Sequence, residues 1–239
     1  MQIKAVFKID SLCFKADLRR TMVSYLKNAI QQYDENIYGE IYNHNKIKEF
    51  TFSLYLPGVQ RKGDVISLSK DLIIWEIRTN NDSLGINFYN ALLKAKGNSY
   101  PFGTTNIRCT KANIYSTKDC NAETIIVRFK SPLVIRKRIG KKDNYYTVLD
   151  HDFTEKFKEI VHYQIKSLGY EQDESLNIKV IEGKRIMDQT FGLVIPGSTG
   201  VYLISGKRET LNLLNKVGAG SRRGEGFGMF DILTEVSNE

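Results

Sequence analysis

The chain is poor in cysteine and contains no long hydrophobic run. Its three cysteines, Cys13, Cys109 and Cys120, lie far apart among 239 residues and form no CxxC pair. This distribution argues against a disulfide framework or a zinc site and favours a reducing cytoplasm. No apolar run approaches the roughly 18 residues of a membrane span, and the N-terminal segment lacks the apolar core of a secretory signal. We therefore expect a cytoplasmic protein that does not associate with a membrane.

Several catalytic motifs are absent as well. The aspartates and glutamates are scattered, so the sequence shows no carboxylate cluster of the kind that metal-dependent nucleases need. None of the histidines follows an arginine at the short spacing of the R-x₄₋₆-H ribonuclease motif, and no GK[ST] phosphate-binding signature occurs. The first two absences favour chemistry without a metal ion, and the third argues against a nucleotide cofactor.

Basic residues outnumber acidic ones, with 35 Lys+Arg against 27 Asp+Glu and a net charge of +8. Such a charge is typical of nucleic-acid-binding proteins, although it also suits a merely soluble basic protein. Residues 130–142 hold six basic side chains and no acidic one, and they predict a basic strand or hairpin that turns near Gly140. Its central cations, Arg136, Lys137 and Arg138, suit either phosphate binding or the protection of an exposed edge strand.

The apolar pattern of the first half predicts a ferredoxin-like domain. Alternating and helically spaced residues indicate a strand at 2–9, a helix at 16–33 with Asp17 in its first turn, a strand at 47–56, a hairpin at 65–79, a helix at 82–96 begun by Asp82 or Ser83, and a strand at 106–116. The order β-α-β-β-α-β is typical of that fold.

The second half of the sequence repeats the same pattern. We predict a strand at 123–135 interrupted near Pro132, a helix at 152–169, strands at 176–183, 188–197 and 201–206, a helix at 208–218 and a last strand at 227–236. The predicted fold is therefore α+β, with two tandem ferredoxin-like (βαββαβ) domains and a C-terminal glycine-rich loop. The boundary near 118–122 predicts domains at 1–120 and 121–239.

The glycine-rich segment at 218–230, GAGSRRGEGFGMF, contains five glycines and two arginines. It follows a predicted helix and precedes a strand, whereas P-loops and dinucleotide-binding loops follow a strand and precede a helix. Two interpretations remain. Gly218 could end the helix before a bulged strand entry. Alternatively, the loop offers backbone N–H groups to phosphates, with Arg222 and Arg223 as bidentate donors.

This loop and the two halves resemble the RAMP superfamily of CRISPR-associated proteins, whose loop reads roughly GxGxxxxxGFG. The chain shows Gly218 and Gly220, then Gly226, Phe227 and Gly228. Within the superfamily it is most similar to the endoribonucleases that cut CRISPR precursor transcripts inside each repeat. The segments FKSPLVIRKR, DFTEKFKEIVHYQIKSLG and NHNKIKEFTFSLY carry the same resemblance, which covers essentially the whole chain.

The resemblance implies RNA cleavage without metal or cofactor. In that reaction the 2′-hydroxyl attacks the adjacent phosphate and leaves a 2′,3′-cyclic phosphate and a 5′-hydroxyl. Histidine suits the acid and base roles because its free pKa is near 6.5. His44 lies in the polar segment where the family's catalytic histidine falls, and Tyr42 and Lys46 beside it complete the expected catalytic set. A further family tyrosine corresponds to Tyr33 or Tyr38, between which the sequence does not decide.

The other two histidines are expected to be structural or solvated. His151 stands between Asp150 and Asp152 at a helix start, and His162 falls on the polar face of its helix. The expected RNA-binding residues are Arg136, Lys137, Arg138, Gly218, Gly220, Arg222, Arg223, Gly226 and Gly228.

The implied partner is CRISPR repeat RNA within the precursor of the guide RNA. Subunits of an effector complex and a second copy of the chain in a homodimer stay open as further partners. One alternative shares both the loop and the hairpin, namely a noncatalytic RAMP-type subunit that binds guide RNA in an effector complex.

Overall fold

The computed structural model describes residues 1–42 and 47–236. The chain divides into two compact units, one formed by Met1–Lys46 and Ser53–Ser116 and the other by Ile47–Phe52 and Thr117–Glu239. Both units combine antiparallel sheets with helices, so the predicted α+β class is confirmed. None of the helices in the described ranges is long and apolar enough to cross a membrane.

The N-terminal unit is built on a five-stranded sheet. Its elements are β1 (Gln2–Ile9), β2 (Cys13–Lys15), α1 (Leu18–Tyr33), α2 (Glu35–Tyr42), β3 (Phe50–Tyr55), β4 (Gln60–Lys62), β5 (Val65–Ser67), β6 (Leu72–Thr79), α3 (Asp82–Lys94), β7 (Ser99–Phe102) and β8 (Thr105–Tyr115). The first three residues of β3 are counted with the other unit. The large sheet has the order β3-β6-β1-β8-β7, and a small sheet has the order β2-β5-β4. The alternate residues Ile3, Ala5, Phe7 and Ile9 of β1 are buried, as their spacing predicts.

Local capping explains where α1 and α3 begin. The side chain of Asp17 accepts a hydrogen bond from the N–H of Arg20 at 3.1 Å and so caps α1, as predicted. Helix α3 differs from the prediction, because its cap is Asn81, whose side chain accepts from the N–H of Leu84 at 3.0 Å. Asp82 lies inside the first turn instead, where its charge still favours the helix N-terminus.

The predicted hairpin at 65–79 is wrong. Strand β5 pairs with β2 and β4, whereas β6 pairs with β1 in the large sheet. The physical reason lies in the apolar alternation of β6. Its buried residues Ile73, Trp75 and Ile77 match the buried face of β1, while β5 has only one buried residue to contribute.

The C-terminal unit has a four-stranded sheet and a separate hairpin. Its elements are β9 (Thr124–Phe129), β10 (Ile135–Ile139), β11 (Lys142–Tyr146), α4 (Phe153–Ser167), β12 (Asn177–Thr190), β13 (Leu193–Ser205), α5 (Arg208–Val217), a single 3₁₀ turn (Arg223–Glu225) and β14 (Phe230–Glu235). The sheet order is β12-β13-β9-β14, and β10 pairs with β11. Its core contains Phe153, Phe157, Val161 and Ile165 of α4, which the helical spacing predicted.

Three predicted strands between 176 and 206 are in fact two long ones. Strands β12 and β13 form a continuous antiparallel pair that reverses at Phe191 and Gly192, both of which have positive φ. Glycines that the sequence places at the ends of strands lie inside the ladder instead. Gly183 stands opposite Gly200, and a Cβ added to Gly200 would lie 1.9 Å from the carbonyl oxygen of Glu182. These glycines permit close approach of the two strands rather than ending them.

Candidate nucleic-acid interface

The basic run at 130–142 forms the predicted hairpin. Strands β10 and β11 pair in register from Ile135 opposite Tyr146 to Ile139 opposite Lys142, and the chain reverses at Gly140, whose φ is 61°. Residues directly opposite one another share a face of an antiparallel pair. One face therefore carries Arg136, Arg138, Asp143 and Tyr145, and we call it the arginine face. The other carries Lys137 and lies toward α4.

On the arginine face, Asp143 joins the hairpin to the glycine loop. Its Oδ2 accepts from Nη1 of Arg136 at 3.1 Å and lies 3.9 Å from Nη2 of Arg222. Arg222 also donates to the hydroxyl of Tyr145 at 3.2 Å and to Oε2 of Glu225 at 2.8 Å. Arg136 and Arg222, which we predict as phosphate donors from two different segments of the sequence, thus both lie beside one carboxylate.

On the opposite face, Lys137 pairs with helix α4. Its Nζ lies 2.5 Å from Oε1 of Glu159, and Oε2 of the same carboxylate lies 3.5 Å from Nζ of Lys156. The hydrogen bond from Lys137 holds the pKa of Glu159 below its usual range, against the opposing effect of partial burial. Glu159 is therefore ionised at neutral pH and neutralises part of the charge of the basic run.

The end of the hairpin carries cations without such partners. Arg138, Lys141 and Lys142 are exposed. Within residues 1–42 and 47–236, none of these three side chains has a carboxylate close enough for an ion pair. These three residues, which we call the tip cations, are the part of the hairpin whose charge is fully available to an anion.

The glycine loop is buried, and its N–H groups are mostly used within the protein. Eight of them donate to protein acceptors, which are Leu214 O, Gly228 O, Gln164 Oε1, Val134 O, Arg222 O, Arg223 O, Pro132 O and Ser131 Oγ. The expectation that the loop offers a run of N–H groups to phosphates is therefore wrong for these eight. Contact between RNA and the loop's side chains stays a prediction.

Gln164 explains how the buried loop is held. This side chain from α4 is 3 % exposed, and its amide donates to the carbonyl of Gly218 at 2.8 Å while its Oε1 accepts from the N–H of Gly220 at 2.9 Å. The sequence suggests no such role, because a glutamine among the apolar residues of a helix resembles any other polar position. The only indication in the sequence is that this polar residue occupies a helical position on the apolar face of α4.

The loop's glycines are required by close packing. Gly218 ends α5, as one interpretation predicted, and Gly218, Gly220, Gly226 and Gly228 all have positive φ. A Cβ on Gly228 would lie 2.0 Å from the carbonyl oxygen of Ala219, and one on Gly226 would lie 2.3 Å from Cε2 of Phe52. Backbone and aromatic ring thus occupy the space that any side chain would need.

The two loop arginines have different environments. Arg223 is 5 % exposed and donates through Nη1 to the carbonyl of Val217 at 3.1 Å. Burial lowers the pKa of Arg223 to about 10, and the nearby charge of Glu49 opposes that effect. Arg223 therefore stays charged at neutral pH but faces the protein interior. Arg222 is only partly accessible, and phosphate binding by the two arginines stays a prediction.

The expected catalytic segment is described only at its first residue. Tyr42 ends α2, a helix that the sequence does not predict, and His44 and Lys46 lie outside the described residues. Burial and the neighbouring Tyr38 raise the pKa of Tyr42. Nζ of Lys27 lies 4.9 Å from the centre of the Tyr42 ring, within the range of a cation–π contact. Tyr42 is consequently a protonated phenol at neutral pH, able to donate a hydrogen bond but poorly suited to act as a base.

The structure also describes the other tyrosines and histidines considered in the sequence. Tyr33 ends α1 and its hydroxyl accepts from Nδ2 of Asn90 at 3.2 Å, whereas Tyr38 lies on α2 with its ring 5.2 Å from that of Tyr42. His151 is exposed just before α4. His162 is not solvated as expected, because it is half-buried and its Nε2 lies 2.8 Å from the carbonyl oxygen of Asp173.

The hairpin and the loop both fall within a recognised domain. Residues 115–232 match the family model described as CRISPR associated protein Cas6, C-terminal. This match places the C-terminal part of the chain in the Cas6 family. The resemblance that the glycine loop and the two halves suggested is therefore confirmed at the level of the family.

Solved structures show that the Cas6 fold extends over the whole chain. A structure described as a Cas6-related gene product from Pyrococcus furiosus is 18% identical and covers 99% of both chains with a TM-score of 0.86. One described as an RAMP protein binding different RNA substrates is 18% identical, covers 98% of this chain and 100% of its own, and has a TM-score of 0.84. A third, described as CRISPR associated protein Cas6, is 19% identical with a TM-score of 0.79 and covers 98% and 99%.

At such identities these similarities show the fold, and they confirm two tandem ferredoxin-like domains in a Cas6 protein. A search of curated proteins found no match to this chain.

Proposed function

We propose that this protein binds CRISPR repeat RNA and cleaves the precursor transcript within each repeat, without a metal ion, to release guide RNAs. The observation that carries the proposal is the match to the Cas6 C-terminal domain across residues 115–232. Membership in that family supports CRISPR RNA binding and processing in general. The chemistry of cleavage and the roles assigned to single residues go beyond what family membership supports.

In the proposed reaction, the 2′-oxygen forms a bond to the adjacent phosphorus while the bond from phosphorus to the 5′-oxygen breaks. The 2′-hydroxyl loses a proton and the departing 5′-oxygen gains one, so the products carry a 2′,3′-cyclic phosphate and a 5′-hydroxyl. We assign acid–base work to His44, whose residue type suits proton transfer near neutral pH. We assign to Lys46 the stabilisation of the charge that develops on the phosphate.

Tyr42 has a supporting part in this proposal. Because its pKa is raised by burial, its hydroxyl keeps its proton and can donate a hydrogen bond. Such a donor can form a hydrogen bond to an oxyanion, or to the imidazole of the histidine and so help to orient it. It does not suit the removal of the proton from the 2′-hydroxyl, which leaves that step to the histidine.

RNA affinity comes, in this proposal, from the basic hairpin. The tip cations are exposed and unpaired by carboxylates of the described residues, so they would meet phosphates first. Arg136, whose side chain is 36% exposed, adds a donor on the arginine face. Phosphate contacts of this kind supply affinity and position, and they carry no sequence information by themselves.

The test is incubation of the purified protein with the repeat RNA of its own CRISPR locus in excess EDTA, followed by analysis of the product ends. We expect cleavage at one phosphodiester and a 2′,3′-cyclic phosphate on the upstream product. Loss of cleavage in EDTA with recovery on adding magnesium would contradict the metal-free mechanism.

A noncatalytic RNA-binding subunit is the second candidate. The specific observation in its favour is the similarity to the structure described as an RAMP protein binding different RNA substrates, which has a TM-score of 0.84. Both candidates predict RNA binding through the hairpin. Tight binding of the repeat RNA without any cleavage, with or without divalent ions, would favour this second function.

A further inference from the structure

Two carboxylates on the hairpin and its neighbouring helix each bridge a pair of cations. Asp143 lies between Arg136 and Arg222, at 3.1 and 3.9 Å. Glu159 lies between Lys137 and Lys156, at 2.5 and 3.5 Å. In both pairs one cation belongs to the hairpin and the other to the element packed against it.

These ion pairs are exposed enough to be modest contributors to stability. The side chains of Arg136 and Asp143 are 36% and 30% exposed, and those of Lys137 and Glu159 are 37% and 41% exposed. Partly solvated pairs of this kind are usually worth little to the fold. Their effect on a bound anion is larger, because a carboxylate within 4 Å of a cation repels any phosphate that approaches the same cation.

The distribution of the carboxylates along the hairpin is uneven. They neutralise Arg136 and Lys137 near its base, whereas none among the described residues pairs with the tip cations. The charge available to RNA is therefore concentrated at the tip. At the base, a phosphate must either displace a carboxylate or bind beside it.

We propose that Asp143 and Glu159 act as intramolecular counter-ions that restrain the affinity of the hairpin for RNA phosphates. The tip cations attract RNA first, and Arg136 and Lys137 engage only when a phosphate replaces the carboxylate. The two acidic residues thus limit sequence-independent binding to the basic surface. The inference rests on the proposed RNA-binding function.

The test uses Asp143→Asn and Glu159→Gln, which remove one negative charge each and keep the shape of the side chain. Binding of a labelled oligouridylate of about 20 nucleotides is measured by fluorescence anisotropy between about 50 and 200 mM salt. We expect each variant to bind about fivefold more tightly at low salt, the effect of removing a like charge some 4 Å away in water. The slope of log K against log salt should steepen by up to about 0.7 for each cation released.

Glu155→Gln is the matched control. Glu155 lies on the same helix, is 77% exposed and, among the described residues, pairs with Lys156 of that helix at 3.2 Å. Its replacement changes the net charge by the same amount without freeing a hairpin cation, so binding and slope should stay close to those of the unmodified protein.

Equal or weaker binding by both variants, or equal tightening by the control, would overturn the inference. Because Asp143 also orders the hairpin, weaker binding by Asp143→Asn alone leaves Glu159→Gln as the deciding variant. Failure of the unmodified protein to bind oligouridylate and the repeat RNA would instead contradict the proposed RNA-binding function.

Discussion

At the scale of single residues, the glycine loop shows how a correct motif can have an unexpected physical basis. The density of glycines between 218 and 228 predicted a region where something approaches the backbone closely. What approaches Gly228 and Gly226 is the protein itself, namely a carbonyl oxygen and an aromatic ring. Sequence alone could not distinguish a ligand from a neighbouring strand, because both demand the absence of a side chain.

Gly228→Ala should destabilise the protein by about 3 kcal/mol. The change adds a Cβ that would lie 2.0 Å from the carbonyl oxygen of Ala219, at a residue whose φ is 75°. A left-handed conformation costs about 1–2 kcal/mol for alanine, and overpacking adds about 1–3 kcal/mol. Urea unfolding measures the difference. Gly140→Ala is the control, since φ is 61° there and nothing lies within 4 Å of an added Cβ, so it should cost only about 1–2 kcal/mol.

The two loop arginines illustrate the limit of a charge pattern. Adjacent arginines predicted a shared role, but Arg223 is buried and Arg222 holds Glu225 and Tyr145. The side chains of adjacent residues take different directions where the backbone adopts a left-handed conformation, as it does at Arg222, whose φ is 57°. Their joint replacement by alanine is therefore expected to reduce stability, contrary to the near-neutral effect that two surface residues would have.

Asp173 should make stability depend on acid pH. It is fully buried and accepts from the hydroxyl of Ser175 at 2.5 Å and from the N–H of Lys207 at 2.6 Å. Burial raises the pKa of its carboxyl, but these hydrogen bonds outweigh that effect and the pKa is lowered. Because the folded pKa lies below the unfolded value of about 3.9, the stabilisation is present above that value and is lost as pH falls through the folded pKa.

Asp173→Asn should cost about 2 kcal/mol at neutral pH, since hydrogen bonds to a charged acceptor are replaced by poorer ones. Urea unfolding from neutral pH down to about pH 3 should show this difference shrinking below about pH 4. The exposed Asp64→Asn serves as the control and should show little difference at any pH. A difference for Asp173→Asn that stays constant across the range would contradict the assignment.

At the scale of elements, long amphipathic patterns were predicted well and pairing partners were not. The buried stripe of α4 and the alternation of β1 follow from spacing alone. Which strand β6 joins depends on the fit of two apolar faces distant in sequence, so a local hairpin was predicted in error. Helix α2 was missed because none of its residues is fully buried and its apolar pattern covers only a few residues.

The hydrogen bonds of Gln164 connect α4 to the glycine loop, and their contribution to stability can be measured. Gln164→Leu keeps the bulk of the side chain but leaves the carbonyl of Gly218 and the N–H of Gly220 without their partner. Two buried unsatisfied groups should cost about 2–5 kcal/mol, measured by urea unfolding. Tyr163→Leu on the exposed side of α4 is the control, with a cost below about 0.5 kcal/mol. Equal effects of the two changes would remove the special role of Gln164.

At the scale of the whole molecule, the net charge of +8 predicted an anionic partner without locating it. Within the described part of the chain, the tip cations have no carboxylate partner, whereas carboxylates of β11 and α4 neutralise Arg136 and Lys137 at the hairpin base. Family and fold could be predicted from the loop motif and the repeated half. The assignment of catalytic roles to His44 and Lys46 stays a prediction, because both residues lie outside the described ranges.

Replacement of Arg138, Lys141 and Lys142 by alanine should weaken RNA binding and flatten its salt dependence. Three phosphate contacts to a single strand correspond to a slope of about 2 in log K against log salt. The control replaces three exposed cations of the N-terminal unit, Arg61, Lys62 and Lys70, and changes the net charge equally. A control that flattens the slope as much as the tip variant would show that total charge, rather than the hairpin, governs binding.

The most direct test of the central claim is single-turnover cleavage of the repeat RNA in EDTA by the unmodified protein and by His44→Ala, with RNA affinity measured alongside. We predict cleavage at one phosphodiester by the former and a rate about 10²–10⁴-fold lower for the latter, the usual effect of losing a positioned acid or base. Affinity should barely change, since one neutral imidazole adds little attraction to phosphate. Near-equal rates for the two proteins would remove His44 from the mechanism, and no cleavage by the unmodified protein would contradict the proposed nuclease function.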